Sequence, residues 1–277
     1  MNISKFLWPD GKRIALTSCW DDGTIHDRKL VAVFNRYGLK ASFNLCSGKL
    51  GLDAQQSGWK EFVRADEVVD LYQGHEVCSH TVDHPRVWSV PVDQMRWEIL
   101  EDRRRLEELI GYPVRGFAIP YNWPTGQDWC REFVHSCGFK YMRNSASVPQ
   151  YEHPSDFMDW YPTAHCSADL PTLWADMLQR NQDQPGQLFY IHGHSYEFED
   201  SWGWEVIESF AKLASETAGV YHATKGEIYD YVTAWRSMDW SLDGTMVCNN
   251  SAIPLWFLRN GQTVRIKSGQ LLRLDNQ

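Results

Sequence analysis

An α/β fold is what the first 235 residues predict: a parallel sheet or barrel with its helices packed outside, followed by a small antiparallel β appendage. Three observations carry this. Short β-rich runs alternate with helix-period segments in the order βαβα. Gly residues at 38, 74 and 111 close successive helical segments. Beyond about residue 239 the helical pattern stops, and short strands follow one another across turn residues. The expected division is a barrel over 1–238 and an appendage over 239–277.

Arg13-Ile14-Ala15-Leu16-Thr17-Ser18-Cys19 reads as a first buried strand, and 26–37 as a helix. Strands follow at 41–45 and 75–79, separated by a short helix over 65–73. The longest helix spans 92–110, with Met95, Ile99, Leu106, Leu109 and Ile110 on one side. Its charge run, Glu101 to Glu108, is assigned to a solvated face in which Glu101 and Arg105 form an i,i+4 pair. A strand at 114–119 leads into Pro120-Tyr121-Asn122. The alternation continues through a helix at 127–136, strands at 139–143 and 161–165, a helix at 170–180, a strand at 187–191, a helix at 204–217 and a βα unit over 220–235. The tail offers strands at 245–248, 253–258, 263–267 and 271–274, with Asn260-Gly261 as a hairpin signal. It covers one end of the barrel, joins a dimer or extends a cleft; packing cover is the expectation, because a piece this small needs something on which to bury a face.

With 43% hydrophobic and 23% charged residues the 277-residue chain is globular, and its formal charge of -9 argues against nucleic acid or an anionic membrane as partner. No apolar stretch reaches membrane-spanning length, and the first residues lack an export-signal pattern, so a cytoplasmic setting is expected. The seven Cys contain no CxxC pair and read as reduced thiols. Fourteen Trp exceed the usual share; most belong to the core, and some are candidates to line a sugar-binding cleft.

Polar residues gather where the strand patterns stop: Asp21 and Asp22, Asn44, His80 and His84, Tyr121 and Asn122, Arg143, His165, and His192 with His194. In a parallel βα architecture that is where an active site is built. His80 and His84, four apart, present two imidazoles to one ion; one aspartate of the pair Asp21-Asp22 completes the set, and the other stays free as a base. Such a site suits zinc, with cobalt, nickel and manganese as alternatives.

The series Trp20-Asp21-Asp22-Gly23, His80-Thr81-Val82-Asp83-His84, Phe117-Ala118-Ile119-Pro120-Tyr121 and Tyr190-Ile191-His192-Gly193-His194-Ser195 resembles, in order and spacing, the motifs of the polysaccharide deacetylases, carbohydrate esterase family four, the nodulation-type deacetylase domain. The resemblance covers residues 12–235. It implies an irregular (β/α) barrel with fewer than eight complete units. It further implies Asp22, His80 and His84 as metal ligands, Asp21 as general base, the Tyr121 backbone N–H as an oxyanion donor and His194 as general acid. The family's third motif carries an Arg that orients the base, and Ala118 stands at that place here. Arg143, at the end of the next predicted strand, is the candidate replacement, expected to pair with Asp21. His192 and His194 point to opposite sides if the strand runs through both, and His194 is assigned to the mouth. Asp156, Asp159 and Glu197 are the candidates to raise its pKa.

The function implied is metal-dependent removal of N- or O-linked acetyl groups from a carbohydrate, an oligosaccharide or small glycoside. Two other readings stand beside it: an allantoinase-like amidohydrolase acting on a small non-sugar amide, and a catalytically silent sugar-binding protein with a structural metal. The tail leaves a homo-oligomer open.

Overall fold

The computed structural model describes residues 4–121 and 128–274. Strands β1 (Lys5–Leu7), β2 (Ile14–Asp22), β3 (Ser42–Leu45), β4 (Glu76–Ser79), β5 (Gly116–Ala118), β6 (Tyr141–Arg143), β7 (Ala164–His165), β8 (Gln187–Gly193) and β9 (Val220–His222) precede the tail strands β10 (Asp239–Trp240), β11 (Met246–Cys248), β12 (Leu255–Arg259), β13 (Gln262–Ile266) and β14 (Leu271–Arg273).

One curled parallel sheet runs β6-β5-β4-β3-β2-β8-β7, and β9 pairs with β2. Strand β2 is its axis. Its first half, Ile14 to Leu16, pairs with β9, and its second half, Cys19 to Asp22, pairs with β3. β2 is buried along its whole length, with no alternation of buried and exposed residues. Helices Asp27–Tyr37, Val92–Ile110, Leu170–Arg180, Trp204–Glu216 and Lys225–Arg236 lie between the strands in sequence, as the alternation predicts. Val92–Ile110 ends at Gly111, whose φ of 76° is the left-handed cap a side chain resists. Because every pairing in this sheet is parallel, the carboxyl ends of the strands converge on one rim.

Some elements are shorter than the sequence predicts. The strand expected at 161–165 is confined to Ala164–His165, since Pro162 has no N–H for a ladder. The helix expected over 65–73 is a 3-10 turn, Ala65–Glu67, followed by one helical turn, Val68–Leu71. The helix expected at 127–136 is seen as Asp128–Ser136, with residue 127 outside the described residues.

The tail forms two antiparallel sheets, β1-β12-β13 and β10-β11-β14. Asn260 and Gly261, at φ 50° and 78°, make the β12–β13 turn, and β1 from the start of the chain completes the first sheet, a pairing that three residues do not announce. Val247, Leu255, Phe257 and Ile266 share one apolar cluster with Trp8, Ala15, Leu188 and Tyr231. Ala15 and Leu188 sit at the starts of β2 and β8, so the tail packs on the end of the sheet opposite the rim just described. All seven cysteines are free thiols. Among the described residues no helix is long and apolar enough to cross a membrane.

Candidate active site

Strand β2 ends in Asp21 and Asp22, and β4 ends just before His80. These termini bring one carboxylate and two imidazoles together. His80 Nε2 lies 3.7 Å and His84 Nε2 3.4 Å from Asp22 Oδ1, and ligand atoms of the three residues all fall within 4.8 Å of one another. His80 Nδ1 donates to the Ala118 carbonyl at 2.7 Å, which fixes the tautomer and leaves Nε2 bare toward Asp22. Burial pushes the His80 imidazole below its ordinary value, and burial with His80 beside it takes His84 to about 3, so both rings are neutral, as metal ligands must be. The Asp22 carboxylate is buried, and burial pushes its pKa up. Two neutral imidazoles and a buried carboxylate suit a divalent cation.

The backbone is strained around these groups. Asp22, Thr81, His84 and Tyr121 have φ of 82°, 70°, 60° and 60°, a region that L-residues occupy only when their surroundings enforce it. The surroundings are identifiable. Asp102, on helix Val92–Ile110, accepts the Ser79 hydroxyl at 2.5 Å, the His80 N–H at 3.1 Å and the Ser47 N–H at 2.8 Å. Glu98, one turn earlier, accepts the Asp83 N–H at 2.9 Å. Asp102 is fully buried, which corrects its assignment to a solvated charge run. The Glu101–Arg105 pair of that run does form, at 2.8 Å on the outer face.

Asp21 is held by a separate network. Asn44 Nδ2 donates to its Oδ1 at 2.7 Å, and Arg143 Nη2 donates to its Oδ2. Lys225, buried in the sheet interior, fixes the Asn44 amide by donating to Oδ1 at 3.2 Å. Burial alone would raise Asp21, but the Arg143 guanidinium, His80, His194 and the Asn44 bond outweigh it and hold the carboxyl well below the usual range. The structure thus brings Arg143 to the aspartate, while Ala118 supplies only its carbonyl to His80.

His192 and His194 both line the cavity, contrary to the expectation of opposite faces, because β8 ends at Gly193 and the chain turns there. Gly193 is required: a Cβ would lie 2.3 Å from Cys166 Sγ. His192 Nδ1 lies 3.1 Å from Arg143 Nη1, a donor, so it accepts, and its Nε2–H donates to Ser147 Oγ at 2.9 Å. His194 Nε2 faces Asp22 Oδ2 at 3.9 Å. Glu197 Oε2 lies 3.3 Å from His194 Nδ1, within ion-pair reach but off the line of a good hydrogen bond. Burial pushes His194 down, but Glu197, Asp21 and Asp22 overcome it and hold the imidazole above its ordinary value. Of the three carboxylates the sequence offers for this role, Glu197 is the one in place. Asp156 caps Met158 N, and Asp159 accepts from Asn144 Nδ2.

These groups line a cavity of about 670 Å³. Its mouth carries Lys49, Trp59, Tyr121 and Tyr196; Trp59 is 49% exposed and meets Tyr196 edge-on at 4.9 Å. Asn122 lies outside the described residues. Sequence reasoning missed Asp102, Glu98 and Lys225 and reached Trp59 only through composition. The spacing 95, 98, 99, 102, 106 is a helical stripe that includes both acids, a signal that their charge concealed.

Residues 9–142 match the family model described as polysaccharide deacetylase. Among solved structures, one from Pseudomonas aeruginosa PAO1 assigned to the polysaccharide deacetylases is 16% identical, with a TM-score of 0.62 over 80% of this chain and 91% of its own. One from Mycobacterium smegmatis with the same assignment is also 16% identical, at 0.59 over 85% and 96%. The Puue allantoinase is 15% identical, at 0.60 over 80% and 91%. These likenesses show a shared fold. No curated protein sequence gives a significant match.

Proposed function

From the match of residues 9–142 to the polysaccharide deacetylase family model, we propose that the chain belongs to that family and is a metal-dependent hydrolase that removes acetyl groups, N- or O-linked, from a carbohydrate. The observation that carries this reading is the convergence of Asp22, His80 and His84 beside Asp21, a carboxylate bound to Arg143 and Asn44 and kept ionised by them. A purely structural site has no use for that spare base.

Asp22, His80 and His84 would hold the ion, which supplies Lewis acidity to the acetyl carbonyl and to the attacking water. Asp21, kept ionised by Arg143, takes the proton from that water. The Tyr121 backbone N–H, set at the rim by the turn after β5, donates to the developing oxyanion. His194, whose proton is retained by Glu197, delivers it to the departing amine or alcohol. The cavity volume suits one or a few sugar rings, and the exposed indole of Trp59 offers a flat face to the C–H side of a pyranose.

The test is acetate release from acetylated mono- and oligosaccharides by protein stripped of metal and reloaded with zinc, cobalt, nickel or manganese. Release that needs the metal and is lost in Asp21→Asn supports the reading. Metal-dependent turnover of a small non-sugar amide, with every acetylated sugar inert, would replace it with the amidohydrolase.

A further inference from the structure

A second cluster of metal-binding groups lies behind His194. The imidazole of His165, the thiol of Cys166 and the carboxylate of Glu197 bring one ligand atom each within 4.8 Å of one another. Cys166 Sγ is 3.2 Å and His165 Nε2 3.3 Å from Glu197 Oε2. Ligands 2.0–2.3 Å from a tetrahedral zinc stand roughly 3.3–3.5 Å apart, so the two edges to Glu197 need little change, while the Cys166–His165 edge, within 4.8 Å, closes by a small side-chain rotation. Nδ1 of His165 accepts the Ser167 N–H at 3.3 Å and lies 2.8 Å from Ser167 Oγ, which is placed to take the Nδ1 proton once Nε2 binds an ion.

The cluster is short of acceptors. Glu197 Oε2 faces Cys166 Sγ, His165 Nε2, the His194 N–H at 3.0 Å and His194 Nδ1 at 3.3 Å. One oxygen with two lone pairs cannot serve four donors, and His194 Nδ1 is buried without a hydrogen-bond partner among the described residues. A cation meeting thiolate, imidazole and carboxylate together resolves that competition. The route in is open, since the side chains of His165 and Glu197 are partly exposed, and Gly193 leaves the space that Cys166 Sγ occupies.

We propose that His165, Cys166 and Glu197 form a second metal site, separate from Asp22, His80 and His84, that takes a thiophilic divalent ion such as zinc and slows the enzyme by drawing Glu197 away from His194. The slowing rests on the hydrolase reading above; the binding does not. The sulfur ligand separates the two sites, because the Asp22–His80–His84 set contains none.

Titrating the metal-stripped protein with cobalt(II) therefore decides the matter. A second equivalent is expected to bind with near-ultraviolet thiolate-to-cobalt charge-transfer absorption. Cys166→Ser should lose that absorption and the second equivalent while keeping the first, and His165→Gln should weaken both features of the second site. His84→Ala should impair the first site and leave the thiolate absorption in place. A wild-type protein that binds one equivalent without thiolate absorption overturns the proposal, as does absorption that persists in Cys166→Ser. In the acetate assay, excess zinc should slow the wild type about tenfold, the scale on which loss of an outer partner is felt, and slow Cys166→Ser less.

Discussion

The carboxylate of Asp102 accepts the backbone N–H of His80 at 3.1 Å, from a helix that contributes no residue to the cavity. It also takes the hydroxyl of Ser79, so the turn from β4 into the two histidines is fastened at its start. Asp102→Asn replaces an oxygen with a donor and loses at least one of these bonds. Metal affinity should fall about 10- to 100-fold, measured by equilibrium metal titration. Asp102→Ala should in addition lower stability by about 2–3 kcal/mol, because buried donors are left unpaired. Unchanged metal affinity in both variants would remove Asp102 from the positioning of His80.

Arg143 spans Asp21 and His192 with two nitrogens of one guanidinium. An ammonium cannot reproduce that fork. Arg143→Lys should lower turnover at least about tenfold, and Arg143→Met by about 10²-fold or more, the scale of a mispositioned general base. Metal content by elemental analysis should stay at the wild-type level. Arg143→Met with full turnover would show that Asp21 is oriented without it.

The parallel sheet was legible because its strands are buried on both faces and end in chemistry-bearing residues, and the Asp-Asp and His-x-x-x-His spacings already marked the group the structure gathers. What escaped were charges whose burial depends on tertiary neighbours. Asp102 sits in a run of Glu and Arg that any composition argument sends to solvent, and only its register with Met95, Ile99 and Leu106 betrays its side of the helix. Lys225 follows Thr224 at a helix start like an ordinary surface lysine, yet is fully buried beside Asn44. His192 misled for the opposite reason: strand alternation stops at Gly193, where β8 ends, and both histidines line one cavity.

In the proposed mechanism His194 and Glu197 form the acid end of the site. His194→Ala should cut turnover about 10²- to 10⁴-fold while the protein binds its first metal equivalent normally. Glu197→Gln should also cut turnover, with the smaller loss for substrates whose leaving group needs less protonation, such as an acetylated phenol. Loss of the first metal equivalent in His194→Ala would instead make that residue a ligand.

Trp59 should matter for binding rather than chemistry. Truncating an exposed indole at the cavity mouth removes a stacking face without touching Asp21 or His194. Trp59→Ala should raise KM for an acetylated oligosaccharide about tenfold, one to two kcal/mol of aromatic contact, with kcat near the wild-type value. A small acetyl ester should be turned over as before. An equal loss on both substrates would mean that Trp59 shapes the reacting centre instead of holding a sugar.

Asp27 gives the protein a pH-dependent stability. It is fully buried, accepts Tyr72 OH at 2.6 Å and Ser195 Oγ at 2.5 Å, and burial, reinforced by the charges of Asp22 and Asp21, raises its carboxyl to about 7 against these two bonds. In the unfolded chain the same carboxyl titrates near 4. Between these values the folded state holds a proton that the unfolded state has released, so this group favours folding most below pH ~4, and the advantage is lost as pH rises through about 7. Asp27→Asn removes the titration. Thermal denaturation from pH 4 to pH 8 should therefore show a wild-type Tm that declines, relative to Asp27→Asn, as pH rises. A difference that is flat across the window would mean that Asp27 is ionised in the fold throughout, with its two hydroxyl donors sufficient to carry the charge.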